Sequence, residues 1–236
     1  MRFAVLPVLL SIVLAACGCA TPKAATNTRG TAAGRAALAT DPVSQDEPRR
    51  MIPVGAFSYA DLAPVLDKWT ERVDAGDHEI WFRISSFGGD MFAGMDLIQR
   101  IQDDKREHGI VTVCVADNWT ISMGFTFLQG ACDVRLMTAH TILLAHNGSG
   151  GAKGTVEQML ESVEILKALN EAIGTMECTR LTISCDEYFA KIAKYAWTMA
   201  AAEAKEVGAV DAIIALKDLP RIYTLAPVRH EIEIEL

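Results

Sequence analysis

A serine hydroxyl attacks a carbonyl at neutral pH only when a base takes its proton and backbone N–H groups receive the developing oxyanion. The sequence holds a residue of each kind in the order Gly88-Gly89, Ser122, His146. Ser122 stands in Thr120-Ile121-Ser122-Met123-Gly124, between an apolar β-capable run and the helix-like stretch Met123–Gln129. The amides that follow it are therefore unpaired helix-start donors, and Gly124 permits close approach. His146 ends the β-capable segment Thr141–Ala145 just before a glycine-rich stretch, a rim position suited to a general base. Gly88-Gly89 lies between a strand and a helix and can turn a backbone N–H towards a substrate oxygen. Taken singly, each has an ordinary reading as N-cap, satisfied imidazole or turn. Their joint order is what points to acyl transfer.

The elements that must position these residues follow from periodicity. Ser58-Tyr59-Ala60-Asp61 has capping-box spacing and opens a helix to about Val73, followed by the β-rich run Glu79–Ile84. Met91, Met95, Ile98 and Ile101 recur at helical spacing before the charged turn Asp103–Gly109, and the apolar run Ile110–Ala116 comes next. A second round runs through Asn118–Ser122, Met123–Gln129, Val134–Met137 and Thr141–Ala145. After the glycine-rich segment Asn147–Gly154, apolar residues from Val156 to Ile173 repeat at three and four, which predicts one amphipathic helix of about 20 residues, roughly 30 Å long. Helices over Cys185–Tyr195 and Ala200–Val207 and a last strand Val210–Ile214 complete an alternating α/β pattern.

Composition narrows the function. The chain has 236 residues and a formal charge of -8. From Met51 onward there are 27 acidic against 16 basic side chains and no basic run, so nucleic acid is not an expected partner. No P-loop or GxGxxG is present, no CxxC or HExxH occurs in the body, and the histidines are scattered; no cofactor and no metal are expected. Residues 1–16 place one Arg before an apolar stretch too short to span a bilayer, which reads as a signal peptide. Leu14-Ala15-Ala16-Cys17 resembles a bacterial lipobox, so Cys17 is the candidate lipid attachment site; ordinary cleavage near Ala20 is the alternative. Both put the mature protein outside the cytoplasm, lipid-anchored to a bacterial membrane in the first case. Residues 17–50 read as a flexible linker, 51–216 as the folded domain and 217–236 as a C-terminal tail. In an exported domain Cys178 and Cys185 are candidates to staple the loop between them, whereas Cys114 and Cys132, in apolar runs, read as buried thiols.

Ser85-Ser86-Phe87-Gly88-Gly89, Ile121-Ser122-Met123-Gly124 and Leu144-Ala145-His146-Asn147 together resemble the oxyanion, nucleophile and base segments of the Clp protease proteolytic-subunit family. The resemblance covers roughly Val54 to Ile214 and extends to Leu169-Asn170-Glu171, Ala201-Ala202-Glu203-Ala204 and Gly208-Ala209-Val210-Asp211. It implies the crotonase-like β-α superhelix, a serine-type peptidase acting on short or unfolded peptides, and a homo-oligomer whose rings meet through the helix Thr155–Met176. It also implies Ser122 as nucleophile, His146 as general base, and the amides of Met123 and of Gly89 or Asp90 as oxyanion donors. An exported member would work without an ATP-dependent unfoldase, since no ATP is supplied there.

Three departures accompany the resemblance. Phe87 replaces the family's Pro, Asp117–Thr120 carries a two-residue insertion, and Ala196 stands where the family has the triad Asp. The missing carboxylate leaves several readings. One is a Ser122–His146 dyad helped by another group, with Asp186 or Glu187 as candidates, and another a Ser–Lys pair using Lys153 or Lys167. Outside peptidase chemistry stand a degenerate oligomeric scaffold and a crotonase-type acyl-CoA enzyme; the acidic body argues against binding coenzyme A phosphates.

Overall fold

The computed structural model describes residues 51–215; the signal peptide, Cys17, the linker and the C-terminal tail lie outside the described residues. The elements run β1 (Ile52–Val54), α1 (Tyr59–Asp74), β2 (Glu79–Ser86), α2 (Met91–His108), β3 (Val111–Ile121), α3 (Met123–Ala131), β4 (Val134–Thr138) and β5 (Ile142–Ala145). They continue with α4 (Val156–Cys178), α5 (Cys185–Ile192), β6 (Trp197–Met199), α6 (Ala201–Glu206) and β7 (Ala212–Ile214). The strands β1-β2-β3-β4-β7 form a parallel sheet in that order. The C-terminal end of β3 leaves this path to pair in parallel with β5, which in turn pairs antiparallel with β6. Repeated strand–helix units winding about a parallel sheet are the α/β architecture expected from the sequence.

Local chemistry accounts for the elements around the site. β2 is buried along nearly its whole length, with the apolar Ile80, Trp81, Phe82 and Ile84 in its middle. Ser58 caps α1 by accepting from the Asp61 amide, and Asp90 caps α2 by accepting from the amides of Phe92 and Ala93. α3 is buried along its whole length apart from Gly130, with Phe127 packed edge-on against Phe82 and tilted against Phe57. That packing fixes the start of α3 against β2 and β3, so the strand-to-helix junction at residue 122 is held rigidly.

β3 bulges against β2 over Asp117–Thr120, the segment read as an insertion. Ile84 pairs with Ala116 but Ser86 pairs with Thr120, so four steps on β3 oppose two on β2. Asn118 takes a positive φ of 55° within it. Arg83 donates to Asp117 at the start of the bulge, and Trp119 stacks on Phe87 with ring centroids 5.7 Å apart. The departure at Phe87 and the insertion thus meet in one exposed aromatic pair.

Several expectations need correcting. Cys114 and Cys132 are joined in a disulfide, not left as thiols. β3 and the C-cap of α3 lie side by side because β4 returns next to β3, a contact that local composition does not disclose. The candidate staple between Cys178 and Cys185 is present as a second disulfide. α5 stops at Ile192 rather than Tyr195. α4 is longer than its apolar repeat, and Val156, Met159, Leu160, Val163 and Ile165 are exposed; only its last part, from Ile173 to Cys178, is buried.

Candidate active site

Ser122 sits between β3 and α3 with φ 55° and ψ -126°, a sparsely populated conformation for a residue with a side chain. Its hydroxyl makes no capping hydrogen bond, so the ordinary role of a serine before a helix is not the one it plays. The Ser122 amide donates to the Leu144 carbonyl at 2.9 Å and continues the ladder in which Ile121 pairs with Leu144. Because β3 and β5 run in parallel, Ser122 and His146 leave adjacent strand ends on the same side. Among the described residues the hydroxyl and the imidazole are not hydrogen-bonded to each other; in serine enzymes that contact tightens when substrate arrives.

Gly88 and Gly89 close the other side. Gly88 has φ 100°, and a Cβ there would lie 2.6 Å from Ser122 Cβ and 2.9 Å from its Oγ. Only glycine lets the turn press against the serine. Gly89, at φ 143°, forms a parallel bridge with Phe57, in which the Phe57 amide donates to Gly88 O and the Asp90 amide donates to Phe57 O at 2.6 Å. That pattern turns the Gly89 N–H away from Phe57. Asp90 is therefore removed as an oxyanion donor, because its amide is committed to Phe57 and its carboxylate to the α2 cap. Gly89 and Met123 keep amides with no acceptor among the described residues, the latter because the first turn of a helix leaves its donors unpaired. Asp90 does line a cavity of about 350 Å³ that begins at Gly89 and is walled by Met91, Phe92, Leu166 and Leu169.

His146 is half-buried, and its Nδ1 lies 2.6 Å from the backbone carbonyl of Asn147. A carbonyl oxygen only accepts, so Nδ1 carries the hydrogen and Nε2 keeps a free lone pair, the tautomer a general base requires. Extending the β5–β6 register, in which Ala145 pairs with Trp197, sets Ala196 opposite His146. Asp186 and Glu187 are exposed in the first turn of α5, and among the described residues neither forms an ion pair with His146. Lys167 is exposed and paired with Glu164 at 2.8 Å, and Lys153 is exposed. Among the described residues no cluster of His, Cys, Asp and Glu could hold a metal ion.

A family model for Clp protease matches residues 71–217. The chain belongs to the Clp protease family. It is 28% identical over 144 residues to ATP-dependent Clp protease proteolytic subunit 2 of Bifidobacterium longum, covering 59% of this chain and 66% of that protein. It is also 28% identical over 153 residues to the ATP-dependent Clp protease proteolytic subunit of Bacteroides fragilis, covering 63% of this chain and 70% of the relative. With the Bacteroides thetaiotaomicron subunit the identity is again 28%, over 66% of the relative. Membership of this family supports a serine peptidase-like function.

Sequence reasoning missed one buried group behind the site. Glu177, near the end of α4, accepts from Thr126 Oγ1 at 2.6 Å and from the Tyr188 hydroxyl. Thr126 Oγ1 also lies 3.3 Å from the Ser122 carbonyl, so this network backs the helix that follows the serine. Burial pushes the Glu177 carboxyl up to about 7, and its two hydrogen bonds only partly oppose that rise. The folded state therefore retains a proton that the unfolded chain releases near 4.5. This contribution to stability is complete below about 4.5 and is lost as pH rises through about 7, by on the order of 3 kcal/mol. Glu177→Gln stays neutral throughout, so denaturant unfolding from pH 5 to 8 should show a flatter stability profile than wild type. Equal slopes would contradict the assignment.

Proposed function

We propose that this protein is a serine peptidase in which Ser122 is the acyl-forming nucleophile and His146 its general base, with the Asn147 carbonyl doing part of the work of the absent triad Asp. One observation carries the reading. Ser122 has a strained φ/ψ and a hydroxyl unused for capping, beside a glycine that tolerates no Cβ. Strain of that kind persists where function requires it, and packing alone gives it no reason.

In this mechanism His146 Nε2 takes the hydroxyl proton as Ser122 Oγ attacks the scissile carbonyl, forming a tetrahedral intermediate whose oxyanion is received by the amides of Gly89 and Met123. The imidazolium then gives its proton to the leaving amine as the peptide C–N bond breaks. Water, deprotonated by the same imidazole, hydrolyses the acyl-enzyme. The apolar walls of the cavity beside Gly89 suit an apolar substrate side chain. Short or already unfolded peptides are the substrate class, and no nucleotide is consumed.

The protein acts on this reading as a homo-oligomer, supported by the exposed apolar residues of α4 that this chain leaves uncovered. Its site of action is outside the cytoplasm, with Cys17 as lipid anchor. Two disulfides among the described residues support an oxidising compartment.

Ala196 opposite His146 specifically favours a second reading, a catalytically degenerate scaffold. Incubating the full chain with fluorogenic peptides, without ATP or an unfoldase, separates the two. Cleavage that His146→Ala reduces supports the peptidase, whereas a folded oligomer that cleaves none of them is a scaffold.

A further inference from the structure

We propose that Asn170 is a positioning residue for the base: it clamps the peptide between Asn147 and Gly148, and through that peptide's carbonyl fixes the tautomer and orientation of His146. This inference rests on the reading of His146 as base.

Three hydrogen bonds and one register carry it. The Gly148 amide donates to Asn170 Oδ1 at 2.7 Å, and Asn170 Nδ2 donates back to Gly148 O at 3.2 Å. The Asn147 carbonyl and the Gly148 N–H belong to one planar peptide unit, on which they point in opposite directions. Holding the N–H therefore aims the C=O, and the aimed oxygen is the one 2.6 Å from His146 Nδ1. A carboxylate would make this support redundant, but the register sets Ala196 opposite the imidazole. The backbone carbonyl is thus the only acceptor for Nδ1 among the described residues.

The clamp is built tightly. A Cβ on Gly148 would fall 2.2 Å from Met91 Sδ and 3.0 Å from Asn170 Oδ1, so the chain passes close against both side chains. On the far side, Asn147 Nδ2 donates to the Ile192 carbonyl at 3.3 Å. Asn170 is half-buried on α4, whereas Asn147 and Ser149 are exposed. Without the amide of Asn170, the peptide next to the imidazole would have no anchor on α4, and it leads directly into the glycine-rich segment. A backbone acceptor can replace a triad carboxylate only if the backbone itself is prevented from turning; in this fold the α4 amide supplies that restraint.

Two readouts on the full chain test the assignment. The first is the rate at which a fluorophosphonate acylates Ser122, together with kcat and KM for a peptide. Asn170→Ala should slow labelling by roughly tenfold to a hundredfold, the range seen when the partner orienting a metal-bound histidine is lost. The loss should fall in kcat, with KM little changed. Asn170→Asp keeps an acceptor for the Gly148 amide and should retain most of the rate. Adding Ala196→Asp to Asn170→Ala should recover the loss, because Nδ1 then has a side-chain partner; a merely structural defect would not be repaired in this way.

The second readout is the ¹⁵N signal of the His146 ring at a pH where it is neutral. Wild type should show the hydrogen on Nδ1, and Asn170→Ala should drift towards the tautomer mixture of free histidine. A folded Asn170→Ala protein with unchanged tautomer and unchanged labelling overturns the proposal. If Asn170→Ala does not fold, Asn170→Gln, which displaces the amide by one methylene, faces the same two criteria. Should wild type fail to label, the peptidase reading falls. The ring signals alone then decide whether Asn170 sets the tautomer.

Discussion

Ala196→Asp is expected to raise acylation at Ser122 by at least tenfold and by no more than about 10⁴-fold, the cost of disabling the triad carboxylate in a worked serine protease. The register sets position 196 opposite His146, and Ala196 is exposed, so a longer side chain meets no packing obstacle there. The new carboxylate would accept from Nδ1 and stabilise the imidazolium formed during attack. The Asn147 carbonyl already supplies the tautomer, so only the charge term is newly gained, which keeps the increase below the full figure. Labelling rates and peptide kcat for the two proteins measure it. A rate unchanged or lowered in the variant would mean that His146 is not the base or that β6 does not present residue 196 to it.

Ser122→Ala is expected to remove acylation entirely and to lower peptide hydrolysis by about 10²-fold or more. The size follows from non-additivity. In a well-dissected serine protease, losing the serine or the histidine costs about 2 × 10⁶ in kcat and losing the aspartate alone about 3 × 10⁴. A chain that lacks the aspartate has therefore already forfeited most of that advantage, and what remains is about two orders of magnitude, enlarged by whatever the Asn147 carbonyl restores. The same logic sets a control: in the Ser122→Ala background, Ala196→Asp should bring no gain, because the carboxylate acts only through the serine. Hydrolysis that survives Ser122→Ala undiminished would remove Ser122 from the mechanism.

The sequence made the site's motifs legible because each sits at a junction between elements. Ser122 between β3 and α3, His146 after β5, and Gly88-Gly89 between β2 and α2 are all marked by a switch in periodicity. Counting back from Ala201-Ala202-Glu203-Ala204 singles out Ala196, and extending the β5–β6 register places that residue opposite His146.

What could not be read depends on contacts distant in sequence. The commitment of the Asp90 amide arises from a bridge to Phe57, and the pairing of Cys114 with Cys132 arises from the return of β4 beside β3. The Asn147 carbonyl leaves no trace in residue types, since every residue carries one. Asn170 was visible only as part of the Leu169-Asn170-Glu171 motif, and nothing there disclosed that its amide faces Gly148. Glu177 reads as one acid on a helix until Thr126 and Tyr188 are brought to it by packing. The apolar repeat of α4 was legible, but the exposure of its first half was not, because periodicity does not say which surface covers a face.

Mass mapping of the fluorophosphonate adduct on the full chain tests the central claim most directly. The expected result is one adduct, on Ser122, absent from Ser122→Ala and slower to form in His146→Ala. A folded protein that takes no adduct, or takes it on another residue and keeps it in Ser122→Ala, would contradict the assignment of nucleophile and base.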